Sequence, residues 1–290
     1  MTGLPLHLDH KAAIERALER LTRGTGEQCL SDHAFSNLYL FRQVHAYRYL
    51  PGPYPCVSEL TYDGVRHLLP LFLLHQAPAS EVQALLVDRD CFFPVAQQDA
   101  ELLDPQVFVC TQSRDDADYL YPGANFRDYR GRALAKKRNL MKQLLAAHTV
   151  RCEPYAPALR QDALTVLDGW MHDKVKGKGE ADQTACAEAL QRALEFGLEG
   201  FMHYVDGQPA GFLLAQEIQP TVFVMRFTKG LDAFKGIYQY MFHHFCTRFE
   251  RPVAWLNFEQ DMGLANFRRT KLSYQPASLL GKFRVRLRAR

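Results

Sequence analysis

The chain lacks paired cysteines, long apolar runs and any large excess of charge, and each absence removes a class of protein. Its seven cysteines (29, 56, 91, 110, 152, 186 and 246) are scattered, with no CxxC and no His/Cys pair at zinc spacing. A disulfide scaffold is thereby excluded, and buried free thiols in a reducing compartment are expected. The most apolar run, Leu68 to Leu74, is far short of the ~20 residues a membrane helix needs. Met1 to Ala13 lacks the charged start and apolar stretch of a secretory leader, so a soluble cytoplasmic protein is expected. Neither a GxSxG elbow nor a P-loop lysine motif nor a GxGxxG turn is found, and no metal ligand set is read from the spacing. The adjacent pair His243-His244 points in two directions on a helix, and His67, His75 and His203 read as satisfied structural histidines.

What is present suits a two-domain globular protein. The 290 residues are 47% hydrophobic and 12% aromatic, ample for a sizeable core, and the formal net charge is only +3. Charge is instead local. Between Arg127 and Lys142 the bases Arg127, Arg130, Arg132, Lys136, Lys137, Arg138 and Lys142 face a single acid, Asp128, and the C-terminus runs Lys282, Arg284, Arg286, Arg288, Arg290 without an acid. Two such surfaces fit an anionic partner such as tRNA, or else ordinary solvated faces.

Periodicity predicts the elements. Asp9 is expected to cap a helix with the stripe Ala13, Ile14, Ala17, Leu18 and Leu21, and a second helix runs over 31–42. Asp63-Gly64 and Asp206-Gly207 each sit between apolar runs, the strongest short hairpin signal. Strands are predicted over 82–87, 107–110, 149–154, 221–227 and 253–256, and helices over 131–148, 159–172, 184–196 and 234–249. The tail 283–288 alternates strictly, as a half-buried final strand whose arginine row faces any neighbouring anion. Lys174 to Glu180 reads as a glycine- and lysine-containing loop suited to a phosphate-facing lid.

The densest chemistry lies at Leu256-Asn257-Phe258-Glu259-Gln260-Asp261 and Phe267-Arg268-Arg269-Thr270-Lys271, where carboxylates, an amide and bases follow a strand. Charges of both signs at a strand end suit a zwitterionic or polar substrate. The competing reading is a capped surface helix, with Asp261 as N-cap and ion pairs from Glu259 and Asp261 to Arg268 and Lys271.

The order helix, helix, hairpin, strand, helix, strand resembles the N-acetyltransferase-like (GNAT) fold, and the first half echoes it. The expectation is an α+β protein of two tandem GNAT-like domains, 1–148 and 149–290, with mixed sheets flanked by helices. Acetyl-CoA users of that fold hold the pyrophosphate with an [Arg/Gln]-x-x-Gly-x-[Gly/Ala] turn. The corresponding segment here, Lys229 to Tyr238, offers Gly236 without the second small residue, and Asp232 opposes an anion. The segments Phe234-Lys235-Gly236-Ile237-Tyr238-Gln239-Tyr240 and Asn257 to Pro276 resemble the phosphatidylglycerol lysyltransferase C-terminal (DUF2156) family. Phe35-Ser36-Asn37-Leu38-Tyr39 and Tyr129-Arg130-Gly131-Arg132 to Asn139 resemble its earlier motifs.

The resemblance implies a tandem GNAT-like fold, as in the Fem peptidoglycan transferases. It also implies aminoacyl transfer from aminoacyl-tRNA to an amine or hydroxyl of a small molecule or lipid head group. The multi-helix membrane domain of the lipid synthases is missing from this sequence. No cofactor is implied, because the donor is already an activated ester. On this reading Glu259 and Asp261 serve as base or hold an α-ammonium, and Asn257, Arg268, Lys271, Lys235 and Tyr238 contact substrate. Arg130, Arg132, Lys136, Lys137 and Arg138 meet the tRNA. Tyr238 and Trp255 also read as core residues. The alternatives are an acyl-CoA-dependent N-acyltransferase and a non-catalytic binding module of the same fold.

Overall fold

The computed structural model describes residues 3–174 and 182–288. Strand β1 (Leu4–Pro5) precedes helix α1 (Lys11–Leu21), whose Ile14, Ala17 and Leu18 are buried at helical spacing. Asp9 lies in a 3-10 turn and does not cap that helix; the N-cap is His10, without a side-chain bond. Next come α2 (Phe35–Leu40), β2 (Arg48–Leu50), β3 (Cys56–Leu60) and β4 (Arg66–Pro70). The expected strand over 82–87 is helix α3 (Ala79–Leu85), which buries Val82 alone. Pro78 before Ala-Ser-Glu-Val-Gln-Ala-Leu is a helix start, and the good formers outweigh the two valines.

The chain continues through β5 (Cys91–Ala96), α4 (Gln97–Ala100), β6 (Phe108–Gln112), β7 (Asp118–Pro122), α5 (Ala124–Asp128), α6 (Ala135–Ala147) and β8 (Val150–Pro154). Helices α7 (Arg160–Asp173) and α8 (Gln183–Gln191) lead into β9 (Leu198–Val205), β10 (Gln208–Gln219) and β11 (Val222–Gly230). Asp206 and Gly207 both take positive φ, 50° and 81°, the turn that matches the twist of a tight hairpin. Helix α9 (Ile237–Arg248), β12 (Trp255–Asn257), α10 (Ala265–Leu272), β13 (Ser278–Leu280) and β14 (Lys282–Leu287) complete the described order.

Among the described residues two seven-stranded mixed sheets form, in the orders β1-β2-β3-β4-β5-β14-β6 and β13-β7-β12-β11-β10-β9-β8. Strands β4 and β5 pair in parallel, as do β11 and β12. Two compact units result, Met1–Asp118 with Gln260–Gly263 and Leu280–Arg290, and Tyr119–Glu259 with Leu264–Leu279. The expected boundary at 148 is thereby corrected to Asp118. Strand β7 enters the second sheet and β14 the first, and apolar alternation marks a strand without saying which sheet it joins.

The C-terminal strand is also not a free basic edge. It lies between β5 and β6, and Arg284 bonds Asp63 at 2.8 Å and Asp116 at 3.3 Å. Lys282, wholly buried, meets Asp32 at 2.6 Å and Asp118 at 2.7 Å. These carboxylates hold its ammonium charged against the desolvation that opposes it, so its pKa is raised. The first core gathers Leu50, Leu68, Phe92, Val95, Phe108 and Val285. The second gathers Tyr121, Phe126, Leu144, Leu213, Phe223 and the α9 residues Ile237, Met241, Phe242 and Phe245. Each such side chain contributes roughly 1.5–3 kcal/mol on burial. All seven cysteines are free thiols. Among the described residues no helix is long and apolar enough to cross a membrane.

Candidate functional site

In the second unit β11 and β12 pair only over Val222–Val224 and Trp255–Asn257. Beyond that, β11 runs on to Gly230 while β12 ends at Asn257. Where the pairing stops sits Arg226, its side chain 2% exposed, with Nη1 2.7 Å from Glu259 Oε1. Its Nε donates to Gln216 Oε1 on β10 at 3.2 Å. Sequence reading missed Arg226; the signal was a single cation inside the apolar run Val222-Phe223-Val224-Met225-Arg226-Phe227.

Glu259 is held in a conformation that side chains rarely adopt, at φ 58°. A non-glycine residue there costs of order 1–3 kcal/mol and persists only where its surroundings over-determine it. Here they do. The Glu259 N–H donates to Asn257 Oδ1 at 2.7 Å, and its carbonyl accepts from Tyr119 N at 3.3 Å. Lys271 Nζ reaches across from α10 to the carbonyls of Phe258 (2.7 Å) and Glu259 (3.1 Å). The Phe258 ring packs 4.8 Å from Phe242 and 5.3 Å from Phe126, anchoring the segment to the core. The result is a strained, fixed carboxylate, 28% exposed, against a buried guanidinium.

A cavity of about 700 Å³ opens between α6 and the β11–α9 connection. Lys136, Asn139 and Gln143 line one side; Asp232, Lys235, Tyr238 and Gln239 line the other. Gly236 starts α9 at φ 100°, and a Cβ there would stand 2.2 Å from the Leu140 carbonyl, so only glycine lets the two helices approach. The first turn of α9 therefore faces the cavity with its positive dipole end. Lys136 and Lys235 are exposed and have no ion-pair partner among the described residues. Asp232 does not stand as bare negative charge, since Lys174 Nζ meets both its oxygens at 2.6 Å.

Of the residues expected from sequence, the structure brings Lys136, Lys235 and Tyr238 together at this cavity. Tyr238 is largely a packing residue: its hydroxyl lies 3.2 Å from both N and O of Gly230, and burial pushes its pKa up to about 12. Asn257, Glu259 and Lys271 converge on the strand opening instead. Arg268 is half-buried on α10. Asp261 is not the N-cap of α10, which is Leu264; at 0% exposure it lies in the first unit and accepts from Gly263 N at 2.9 Å. The basic face is partly structural. Arg138 donates to the carbonyls of Tyr129 and Gly131, and Arg130 pairs with Asp128 at 2.9 Å. Lys137 lies 3.8 Å over the Tyr274 ring, where burial, then Lys136, lowers its pKa to about 8. Arg132 is exposed. The expected lid over 174–180 lies, apart from Lys174, outside the described residues.

Solved structures similar to this chain carry the same fold. A conserved protein of unknown function from Bacteroides thetaiotaomicron superposes with a TM-score of 0.81 at 22% identity, over 99% of this chain and 100% of that one. L-PGS from Bacillus licheniformis gives 0.64 at 14% identity, over 100% and 95%. A tandem GNAT protein from the clavulanic acid biosynthesis pathway gives 0.51 at 11%, over 99% and 98%. These likenesses bear out the two tandem GNAT-like domains with mixed sheets flanked by helices. No curated protein matches the sequence. The family model for the phosphatidylglycerol lysyltransferase C-terminal region matches residues 25–286, and the chain belongs to that family.

Proposed function

We propose that this protein moves an aminoacyl group from aminoacyl-tRNA to an amine or hydroxyl of a small molecule or lipid head group. The observation that carries the reading is the cavity at the start of α9, where Lys136, Lys235 and a helix N-terminus converge, and where Asp232, the one carboxylate among the described lining residues, is paired with Lys174. Such a site suits the phosphates of a nucleic-acid 3′ end. The donor ester is already activated, so the enzyme's task is alignment, proton removal and stabilisation of the oxyanion. The acceptor's lone pair attacks the ester carbonyl, the tetrahedral oxyanion forms, and collapse expels the terminal ribose hydroxyl of the tRNA. Glu259, fixed by Arg226, takes the acceptor proton or holds the α-ammonium of the aminoacyl group. Lys271 and Asn257 are positioning residues that hold Glu259 through its backbone. Asp261, buried and engaged in its own turn, is left out of the mechanism.

The test is transfer of labelled amino acid from each charged tRNA into small molecules and lipids of a cell extract, with and without RNase. RNase-sensitive product supports the reading, and failure with all twenty charged tRNAs overturns it. The same cavity favours one second reading, an acyl-CoA-dependent N-acyltransferase. Neutralisation of Asp232 by Lys174 removes an obstacle to a pyrophosphate there. Calorimetry with acetyl-CoA separates the two: micromolar binding promotes the second, and silence leaves the first.

A further inference from the structure

Cys152 on β8, His203 on β9 and His244 on α9 each present one ligand atom, and these atoms all lie within 4.8 Å of one another. The local structure explains the convergence. Cys152 and His203 are direct cross-strand partners, which places their side chains on one face of the sheet. Helix α9 packs on that face, its Tyr240 and His244 one turn apart, and the His244 ring stands 5.4 Å from that of His203.

His203 is 0% exposed, and neither of its ring nitrogens makes a hydrogen bond among the described residues. The carbonyls of Phe201 and Gly211 lie near enough to favour its protonation slightly, yet neither meets hydrogen-bond geometry. His244 Nδ1 is likewise buried and unpaired. The expectation that His203 is a satisfied core histidine is therefore incorrect. A buried imidazole left this way loses about 1–3 kcal/mol for each polar group deprived of water, so three such nitrogens in one cluster call for a partner. A neutral imidazole offers the lone pair that a metal ion takes, and each ring presents one nitrogen to the cluster.

We propose that Cys152, His203 and His244 bind one Zn²⁺, a structural ion that clips α9 to the edge strand β8 and its neighbour β9. One thiolate and two imidazoles form a mixed soft and borderline donor set that suits zinc in tetrahedral coordination. Ideal Zn–S and Zn–N lengths place such ligand atoms roughly 3.4–3.6 Å apart, so the ion draws the cluster in by about 1 Å. Binding displaces the thiol proton of Cys152. The fourth position is closed by water or by the Tyr240 hydroxyl, which lies 3.7 Å from Cys152 Sγ. Strand β8 ends its sheet, and α9 carries the cavity wall on its first turn, so the ion would hold that wall to the sheet. This role is independent of the transfer reaction.

Untagged full-length protein, stripped with a chelator and titrated with Co²⁺ and then Zn²⁺, tests the proposal. The expected result is one equivalent of Co²⁺ with a thiolate-to-cobalt charge-transfer band, displaced by Zn²⁺, and a Tm rise of about 5–10 °C at a hundredfold excess over Kd. Cys152→Ser should abolish the charge-transfer band. His244→Gln should weaken zinc binding by more than the ~10–100-fold that loss of an outer-shell partner costs. Wild-type protein that holds no stoichiometric metal after desalting and melts at the same temperature with and without zinc overturns the proposal. So does a cobalt band that survives Cys152→Ser. The wild-type measurements stand even if a variant fails to fold.

Discussion

Replacing Glu259 separates chemistry from strain, because three substitutions act on different parts of its environment. Glu259→Ala removes a charge-assisted bond of 2.7 Å to a guanidinium whose side chain is 2% exposed. Breaking a fully buried pair costs roughly 3–5 kcal/mol. Glu259 is itself 28% exposed, and Arg226 keeps its bond to Gln216, so water and the amide recover part of that loss. A net of about 2 kcal/mol is expected, a Tm drop of about 4–8 °C. Glu259→Gly loses the same side chain but adopts φ 58° freely, which returns roughly 1 kcal/mol. Glu259→Gln keeps the shape and one acceptor, and should fall by about 1 kcal/mol. Stability by calorimetric melting should therefore run wild type, then Gln and Gly, then Ala. Turnover should be lowered ~10²–10⁴-fold in all three if the carboxylate moves the proton. An Ala variant as stable as wild type would refute the structural reasoning. Wild-type turnover in Gln would refute the chemical reasoning.

Charge reversal at the cavity, Lys136→Glu with Lys235→Glu, should raise the Kd for tRNA about tenfold or more and flatten its salt dependence. Because both side chains are exposed, Tm should stay unchanged, which filter binding and scanning fluorimetry check together. Gly236→Ala should destabilise the second unit by more than about 2 kcal/mol, read by urea titration, since it combines φ 100° with a Cβ 2.2 Å from the Leu140 carbonyl. In acid, burial holds His33 and His67 near pKa 4, below the ordinary 6.5. The unfolded chain then binds the extra protons, so their stabilisation is complete above pH 6.5 and fades as pH falls toward 4. Each contributes up to about 3 kcal/mol to that fall. A Tm independent of pH between 6.5 and 4 would contradict this.

Element type was legible wherever a local rule applied. The Asp-Gly hairpins, the apolar stripe of α9 and the α6 helix need only nearest neighbours along the chain to be recognised. The family motifs likewise pointed to the segment around Glu259 and to the helix start at Lys235. Strand β5 escaped notice because Pro94 interrupts its apolar run; the ladder with β14 shifts register between Phe283 and Val285. Strand β7 escaped because Asp118 and Pro122 bound it and three residues show too little alternation.

Partnership was decided by the tertiary structure alone. The folded chain supplies Glu259 with Arg226, from a strand more than thirty positions earlier, and turns Lys271 toward backbone carbonyls. It also seals Asp261 in a turn of the first unit and gathers Cys152, His203 and His244 from three separate elements. Periodicity records which face of an element avoids water. Which charge ends beside which, and which polar atom is left without a mate, depends on strand order and helix docking, to which residues distant along the chain contribute equally.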